Sequence, residues 1–253
     1  MKHVLFFTLF TLLSRQGFTQ MSPTKPMGHC HNDYRLAHPF TTAFNAGMQS
    51  IEADVFLKKG VLCVAHTRFQ LNQTRTLDRL YLQPIAELLN QKKACNIQLL
   101  IDIKNRRKAT LSKIIEELKC YDTVFNECST IKVIISGKRP AQKDWDTFPK
   151  YIYFDGRPSE KYSEMQKCRL GMISDNFRHY KHRWKKDTTT HENTLKTVVE
   201  ECHAKGEKIR FWNVPNTVEA WKKLVAIGVD IINTDKPEKL KLFFQKDKVD
   251  STQ

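Results

Sequence analysis

From residue 27 onward the chain alternates two kinds of apolar pattern. Short runs rich in Ile, Val and Leu are followed by stretches in which apolar side chains recur three or four positions apart. The first pattern reads as a buried strand, the second as a helix with one buried stripe. Strands are predicted over 27–30, 50–57, 97–103, 131–136, 151–154, 170–174, 208–212 and 229–233. Between them, Pro39 opens a helix carrying Phe40, Ala43 and Phe44 inward, and a second helix covers about 84–91. Leu111, Ile114, Ile115 and Leu118 mark a third. Leu195, Val198, Val199 and Cys202 mark another, behind a capping box of Thr189 and Glu192. Val218, Trp221 and Val225 follow, and a last helix spans 239–244. Gly47, Gly206 and Gly228 stand where helices stop. Eight strands in strand–helix order, with no Gly/Pro/Ser-rich linker, predict an α/β fold, a single (β/α)8 TIM barrel over 20–253. The glycine fingerprint of a dinucleotide site is missing after the first strand.

Residues 50–57 break the apolar rule. The period of two places Glu52 and Asp54 on one face and Ile51, Ala53 and Val55 on the other. Lys59-Gly60 signals a tight turn, and a second short strand then ends on His66. Adjacent carboxylates on a core strand cost several kcal/mol unless paired or metal-bound.

The first residues read differently. A basic start (Lys2, His3) precedes ten apolar residues, 4–13, and small side chains before Gln20. This is the pattern of a cleavable signal peptide over 1–19, which implies a secreted or periplasmic protein. The formal charge is +15, from 42 Lys and Arg against 27 Asp and Glu. That excess favours anionic partners and is compatible with peripheral membrane contact. No basic block interleaved with aromatics tracks a nucleic-acid strand, and no feature names a protein partner. Seven cysteines without regular spacing are neither a disulfide framework nor a CxxC zinc site; Cys120 and Cys128 are near enough in sequence to pair.

In a barrel, function collects at the C-terminal ends of the strands. Those ends carry His29, His31, Asn32 and Asp33; Glu52 and Asp54, with His66 on the hairpin; Asp102 and Lys104; Ser136, Lys138 and Arg139; Asp155 and Arg157; Asp175 and Asn176; Arg210, Trp212 and Asn213; Asn233 and Asp235. Glu52, Asp54 and Asp102 offer oxygen only, which selects Mg2+ or Ca2+. His29 and His66 as zinc ligands are the alternative. Two histidines can equally supply one base and one acid, with Lys104 and Arg139 neutralising a phosphoryl group.

The segments Gly28-His-Cys-His-Asn-Asp-Tyr34, Ser50-Ile-Glu-Ala-Asp-Val55, Val64-Ala-His66 and Leu100-Ile-Asp-Ile-Lys104 resemble the phosphatidylinositol phospholipase C-like phosphodiesterase superfamily. It includes glycerophosphodiester phosphodiesterases and sphingomyelinase D enzymes. The His-x-His-Asn-Asp-Tyr start resembles the altered-inheritance-of-mitochondria 6 branch. The resemblance implies His29 and His66 as the acid/base pair, Glu52, Asp54 and Asp102 as metal ligands, and Lys104 as the catalytic lysine. His31, Asn32, Arg139 and Trp212 would contact substrate. His29 and His31 compete for the catalytic place; the Gly-His-x-x-Asn spacing favours His29. The His-Arg-Gly and Pro-Glu-Asn-Thr motifs of glycerophosphodiesterases are missing. The implied activity is that of an exported, metal-dependent phosphoric diester hydrolase acting on a phospholipid-derived or similar organic phosphodiester through a cyclic phosphate. A non-catalytic barrel binding phosphorylated head groups or glycans is the alternative.

Overall fold

The computed structural model describes residues 25–91, 96–180 and 189–250. The expected signal peptide, Cys95 and most of the basic segment after Arg178 lie outside the described residues, as do the side chains of the expected capping box.

The strands are β1 (Met27–Cys30), β2 (Ser50–Lys58), β3 (Val61–Val64), β4 (Ile97–Ile103), β5 (Ile131–Gly137), β6 (Ile152–Gly156), β7 (Leu170–Asn176), β8 (Ile209–Trp212) and β9 (Ile231–Thr234). All except β3 run parallel, and the pairing of β1 with both β9 and β2 closes the sheet. The fold is therefore an eight-stranded parallel (β/α)8 barrel, as the strand–helix alternation predicts. The connecting helices are α1 (Thr41–Asn45), α2 (Gln83–Asn90), α3 (Arg107–Lys119), α4 (Glu164–Lys167), α5 (Thr189–His203), α6 (Val218–Ala226) and α7 (Pro237–Asp250). A six-residue 3-10 helix, Gln142–Thr147, stands between β5 and β6, and a five-residue π-helical turn, Asp78–Leu82, leads into α2.

Two apolar layers follow from the strand alternation. Ile51, Ala53, Val55, Ile101 and Ile135 point outward into the main core, where Trp145 stacks on Phe154 at 4.6 Å. Leu100, Ile134, Met172 and Ile231 form a separate plug inside the barrel. Burying each such side chain contributes about 1.5–3 kcal/mol. Above the plug the same inward positions turn polar. Register decides which polar groups meet: Asp54 lies opposite Asp102, Asp102 opposite Ser136, and His29 opposite both Ser50 and Asn233.

Strand β2 outlasts β1. It pairs with β1 only at Ser50 and Ile51, and from Val55 to Lys58 the same side is taken by antiparallel β3. The turn between them has positive φ at both Lys59 (49°) and Gly60 (80°), the twist-matched turn of a two-residue hairpin. This hairpin carries His66 back over the barrel mouth.

Candidate active site

At the C-terminal ends of the strands, a cleft of about 660 Å3 opens over the polar layer. Glu52 and Asp54 rise from β2 and Asp102 from β4. Their carboxylate oxygens lie within 4.8 Å of one another. Lys104 Nζ stands 2.8 Å from Asp102 Oδ2 and 3.0 Å from Asp54 Oδ1. Asp54 Oδ2 accepts a hydrogen bond from His66 Nδ1 at 2.8 Å. Arg210 Nη1, from β8, donates to Glu52 Oε2 at 2.8 Å. Asp102 Oδ1 is buried without a hydrogen-bond partner, and a Cβ on Gly137 would stand 1.8 Å from it. That close approach, with φ at +64°, explains a glycine at the end of β5.

Three inward carboxylates, oxygen donors only, with the orphaned Asp102 oxygen among them, fit a hard divalent cation. The grouped set contains no histidine, so the zinc alternative finds no support in the geometry.

The amino-acid sequence agrees with this geometry. An AIM6-like phosphodiesterase domain model matches residues 19–98, and a glycerophosphoryl diester phosphodiesterase family model matches 208–238. The altered inheritance of mitochondria protein 6 homolog of Arthroderma benhamiae is 25% identical, over 85% of this chain and 83% of its own. Altered inheritance of mitochondria protein 6 of Eremothecium gossypii is 26% identical, over 86% and 69%. Among solved structures, a glycerophosphodiester phosphodiesterase from Parabacteroides distasonis superposes with a TM-score of 0.60, at 16% identity, over 88% of this chain and 98% of that one. In sequence the chain is similar to the AIM6-like phosphodiesterases, and in fold to a glycerophosphodiester phosphodiesterase.

Within this AIM6-like barrel the two N-terminal histidines take different places. His29 is wholly buried: its Nδ1 lies 2.7 Å from Ser50 Oγ and its Nε2 2.9 Å from Glu52 Oε2, with the Arg210 guanidinium against the same nitrogen. It sits behind Glu52 and does not line the cleft, although its spacing favours it for the acid/base role. His31 does line the cleft. Its Nδ1 lies 2.7 Å from Asp235 Oδ1, and Asn32 Nδ2 donates to the same oxygen at 3.0 Å. Asn32 holds the left-handed conformation (φ 55°) that turns the chain between these groups, and asparagine tolerates it. Trp212 lines the cleft as well.

Arg139 corrects the expectation of a substrate contact. Its Nη2 donates to both Glu160 oxygens at 2.6 Å, its guanidinium lies over the Trp145 ring, and it is absent from the cleft wall. What separates it from the other arginines is its place: it turns to Glu160 and Trp145, away from the cleft wall. Arg157, Arg178 and Arg210 line the cleft instead. Arg157 is fixed by buried Asp155, whose Oδ2 accepts from Arg157 Nη1 at 2.8 Å and from Ser136 Oγ at 2.7 Å. Arg210 has a sequence signal: a guanidinium two residues before Trp212 in an apolar strand must point into the barrel with it. Asp235 stands at a strand exit in the sequence, but its partner His31 appears only where β9 closes against β1.

Electrostatics separate these groups. Burial alone would raise Glu52, but the Arg210 guanidinium and the His29 hydrogen bond outweigh it and hold the carboxyl well below its usual range. Burial, reinforced by Arg210, pushes His29 down to about 4, so its ring is neutral. Burial would also lower His31; the Asp235 hydrogen bond and nearby carboxylates overcome it and leave His31 raised. Burial pushes Asp102 up to about 6 against the pull of Lys104, with Glu52 and Asp54 adding to the rise. Asp102 is thus the carboxyl with the most to gain from a cation.

Proposed function

We propose that this chain is an exported, metal-dependent phosphoric diester hydrolase acting on a phospholipid-derived or similar organic phosphodiester. The observation that carries this reading is that a three-carboxylate cluster, a cleft-facing His66 and a cleft-facing His31 share one mouth with Arg157 and Arg210. A site that only held a phosphorylated head group would need the arginines but no pair of proton-transfer groups.

Glu52, Asp54 and Asp102 would hold Mg2+ or Ca2+. Such a cation supplies Lewis-acid polarisation of a phosphoryl oxygen. The remaining work falls to the side chains. The Asp54 carboxylate can only accept, so His66 donates to it from Nδ1, which leaves Nε2 as the nitrogen to serve as base. Asp235 holds His31 through Nδ1 in the same way, and the raised His31 is suited to carry a second proton to the leaving oxygen. Lys104, Arg157 and Arg210 stabilise negative charge on the phosphoryl oxygens. Neutral His29 donates from Nε2 to Glu52 and acts as a positioning residue for that carboxylate.

Where the substrate carries a hydroxyl next to the phosphate, His66 takes its proton, the oxygen attacks phosphorus, and His31 protonates the departing oxygen. The product is a cyclic phosphate. Tethering the nucleophile this way is worth effective molarities of about 10^5–10^8 M over free water. The test is a panel of organic phosphodiesters incubated with chelator-stripped protein, before and after adding Mg2+ or Ca2+, and followed by phosphorus NMR. Cation-dependent turnover with an early cyclic signal is expected. Tight binding of the diesters with no turnover under any cation would replace the hydrolase reading with a binding one.

A further inference from the structure

Beside the catalytic cleft lies a second concavity of about 500 Å3 lined by six cations, of which, among the described residues, only Lys104 has a carboxylate partner. It is lined by Lys58 and Lys59 of the hairpin, Arg68 just beyond it, Lys104 and Arg106 at the exit of β4, and Lys138 at the exit of β5. No carboxylate lines it. Lys104 lines both spaces, so the groove and the cleft adjoin.

Some surface lysines elsewhere on the protein have a carboxylate partner. Lys113, Lys167, Lys196 and Lys241 each approach a glutamate on their own helix, at 2.6 to 3.9 Å. Among the described residues, no ion pair reaches Lys58, Lys59, Arg68, Arg106 or Lys138. Lys59 and Arg106 also hold left-handed conformations, φ 49° and 38°, which side chains of their kind seldom adopt. The groove floor is fixed. Asn105 accepts from Leu57 N at 2.9 Å and donates to Leu57 O at 3.1 Å, tying β2 to the β4 exit. Like charges that line one groove repel one another over a Debye length of roughly 8–10 Å unless an anion lies among them.

We propose that this groove is a second anion subsite, which takes a phosphate monoester borne by the same substrate whose diester is cleaved. This rests on the phosphodiesterase reading above and narrows it: the preferred substrate is an organic phosphodiester carrying at least one further phosphate. The unphosphorylated analogue reaches the cleft but leaves the groove's charge uncompensated.

The test is calorimetric binding in chelator, so that turnover plays no part. Glycerophosphoinositol 4-phosphate is compared with glycerophosphoinositol, on the wild type and on a Lys58→Gln/Lys138→Gln double variant. Both changes fall on exposed positions outside the cleft. The wild type should bind the phosphorylated compound at least about tenfold more tightly, the size of one charge-assisted contact. The double variant should lose most of that preference while binding the plain compound as before. Circular dichroism and an unchanged melting temperature establish that the variant is folded. A parallel arm sediments the protein with phosphatidylcholine vesicles containing either phosphatidylserine or phosphatidylinositol 4-phosphate. Preference for the phosphorylated lipid alone, lost in the variant, supports the subsite with a lipid headgroup as its source. Equal affinity for the two soluble compounds, or a preference the variant retains, overturns the proposal. Variant-sensitive binding to both vesicle types with no soluble preference overturns it in favour of a membrane-docking face. Groove-dependent selectivity without hydrolysis of any diester would overturn the hydrolase reading and leave the subsite standing.

Discussion

Arg210 Nη1 lies 2.8 Å from Glu52 Oε2, and both side chains are only 4% exposed. A guanidinium from β8 therefore crosses the barrel interior to neutralise a carboxylate from β2. Removing one partner of such a pair strands a buried charge, at a cost of about 3–5 kcal/mol. Arg210→Leu should lower the urea midpoint accordingly. Divalent cation should restore part of the loss, because it offers Glu52 a replacement charge. An Arg210→Leu protein as stable as wild type without cation would show that the pair contributes nothing.

The cation prediction follows from the orphaned Asp102 oxygen. Mg2+ or Ca2+ at about a hundred times its dissociation constant should stabilise the wild type by about 2.7 kcal/mol, read as a rise in melting temperature. Glu52→Gln, Asp54→Asn and Asp102→Asn should each abolish that rise and the turnover with it. Equal cation-induced shifts in all three variants would move the metal elsewhere.

The histidines should separate by what each variant loses. His66→Gln and His31→Gln should lower kcat by about 10^2–10^4, the usual worth of a positioned acid or base, with cation binding intact. The cyclic phosphate signal should vanish in both. His29→Asn should instead weaken cation binding and stability, since it releases Glu52 and Ser50. Normal cation affinity in His29→Asn, together with a lost catalytic step, would return the acid/base role to His29.

Glu117 gives a pH prediction remote from the cleft. On α3, burial pushes its carboxyl from 4.5 up to about 7, Asp78 and Glu116 add to the rise, and Lys113 only partly opposes it. One of its oxygens is buried without a hydrogen-bond partner. The fold thus favours the protonated form. Its contribution is full below pH 4.5 and is lost as pH rises through about 7. Glu117→Gln should remove that slope and melt higher than wild type at pH 8, with the two converging near pH 4.5. Parallel melting curves at every pH would place the carboxyl in solvent.

Much of this architecture is legible in the sequence because it depends on local periodicity. Ile97–Ile103 reads as strand and Leu111, Ile114 and Leu118 as helix from spacing alone, and the pleat puts Glu52 and Asp54 on one face before any partner is known. The Lys59-Gly60 turn likewise announces the return of His66. What the sequence could not decide was which side chains meet across the barrel, because that depends on register and closure between strands distant in the chain. His29 and His31 stand two residues apart at one strand exit and look alike as letters. Closure of β1 against β2 buries the first between Ser50 and Glu52, whereas the second passes the strand end and reaches Asp235 across the β9 exit. Arg139 and Arg157 both stand at strand exits in the sequence, and Arg139 alone is expected there to meet a phosphate. Only the fold sets Glu160 against the first and Asp155 behind the second. The six cations of the groove come from the hairpin, the segment just beyond it and the exits of β4 and β5, so their proximity depends on how β2, β4 and β5 pair.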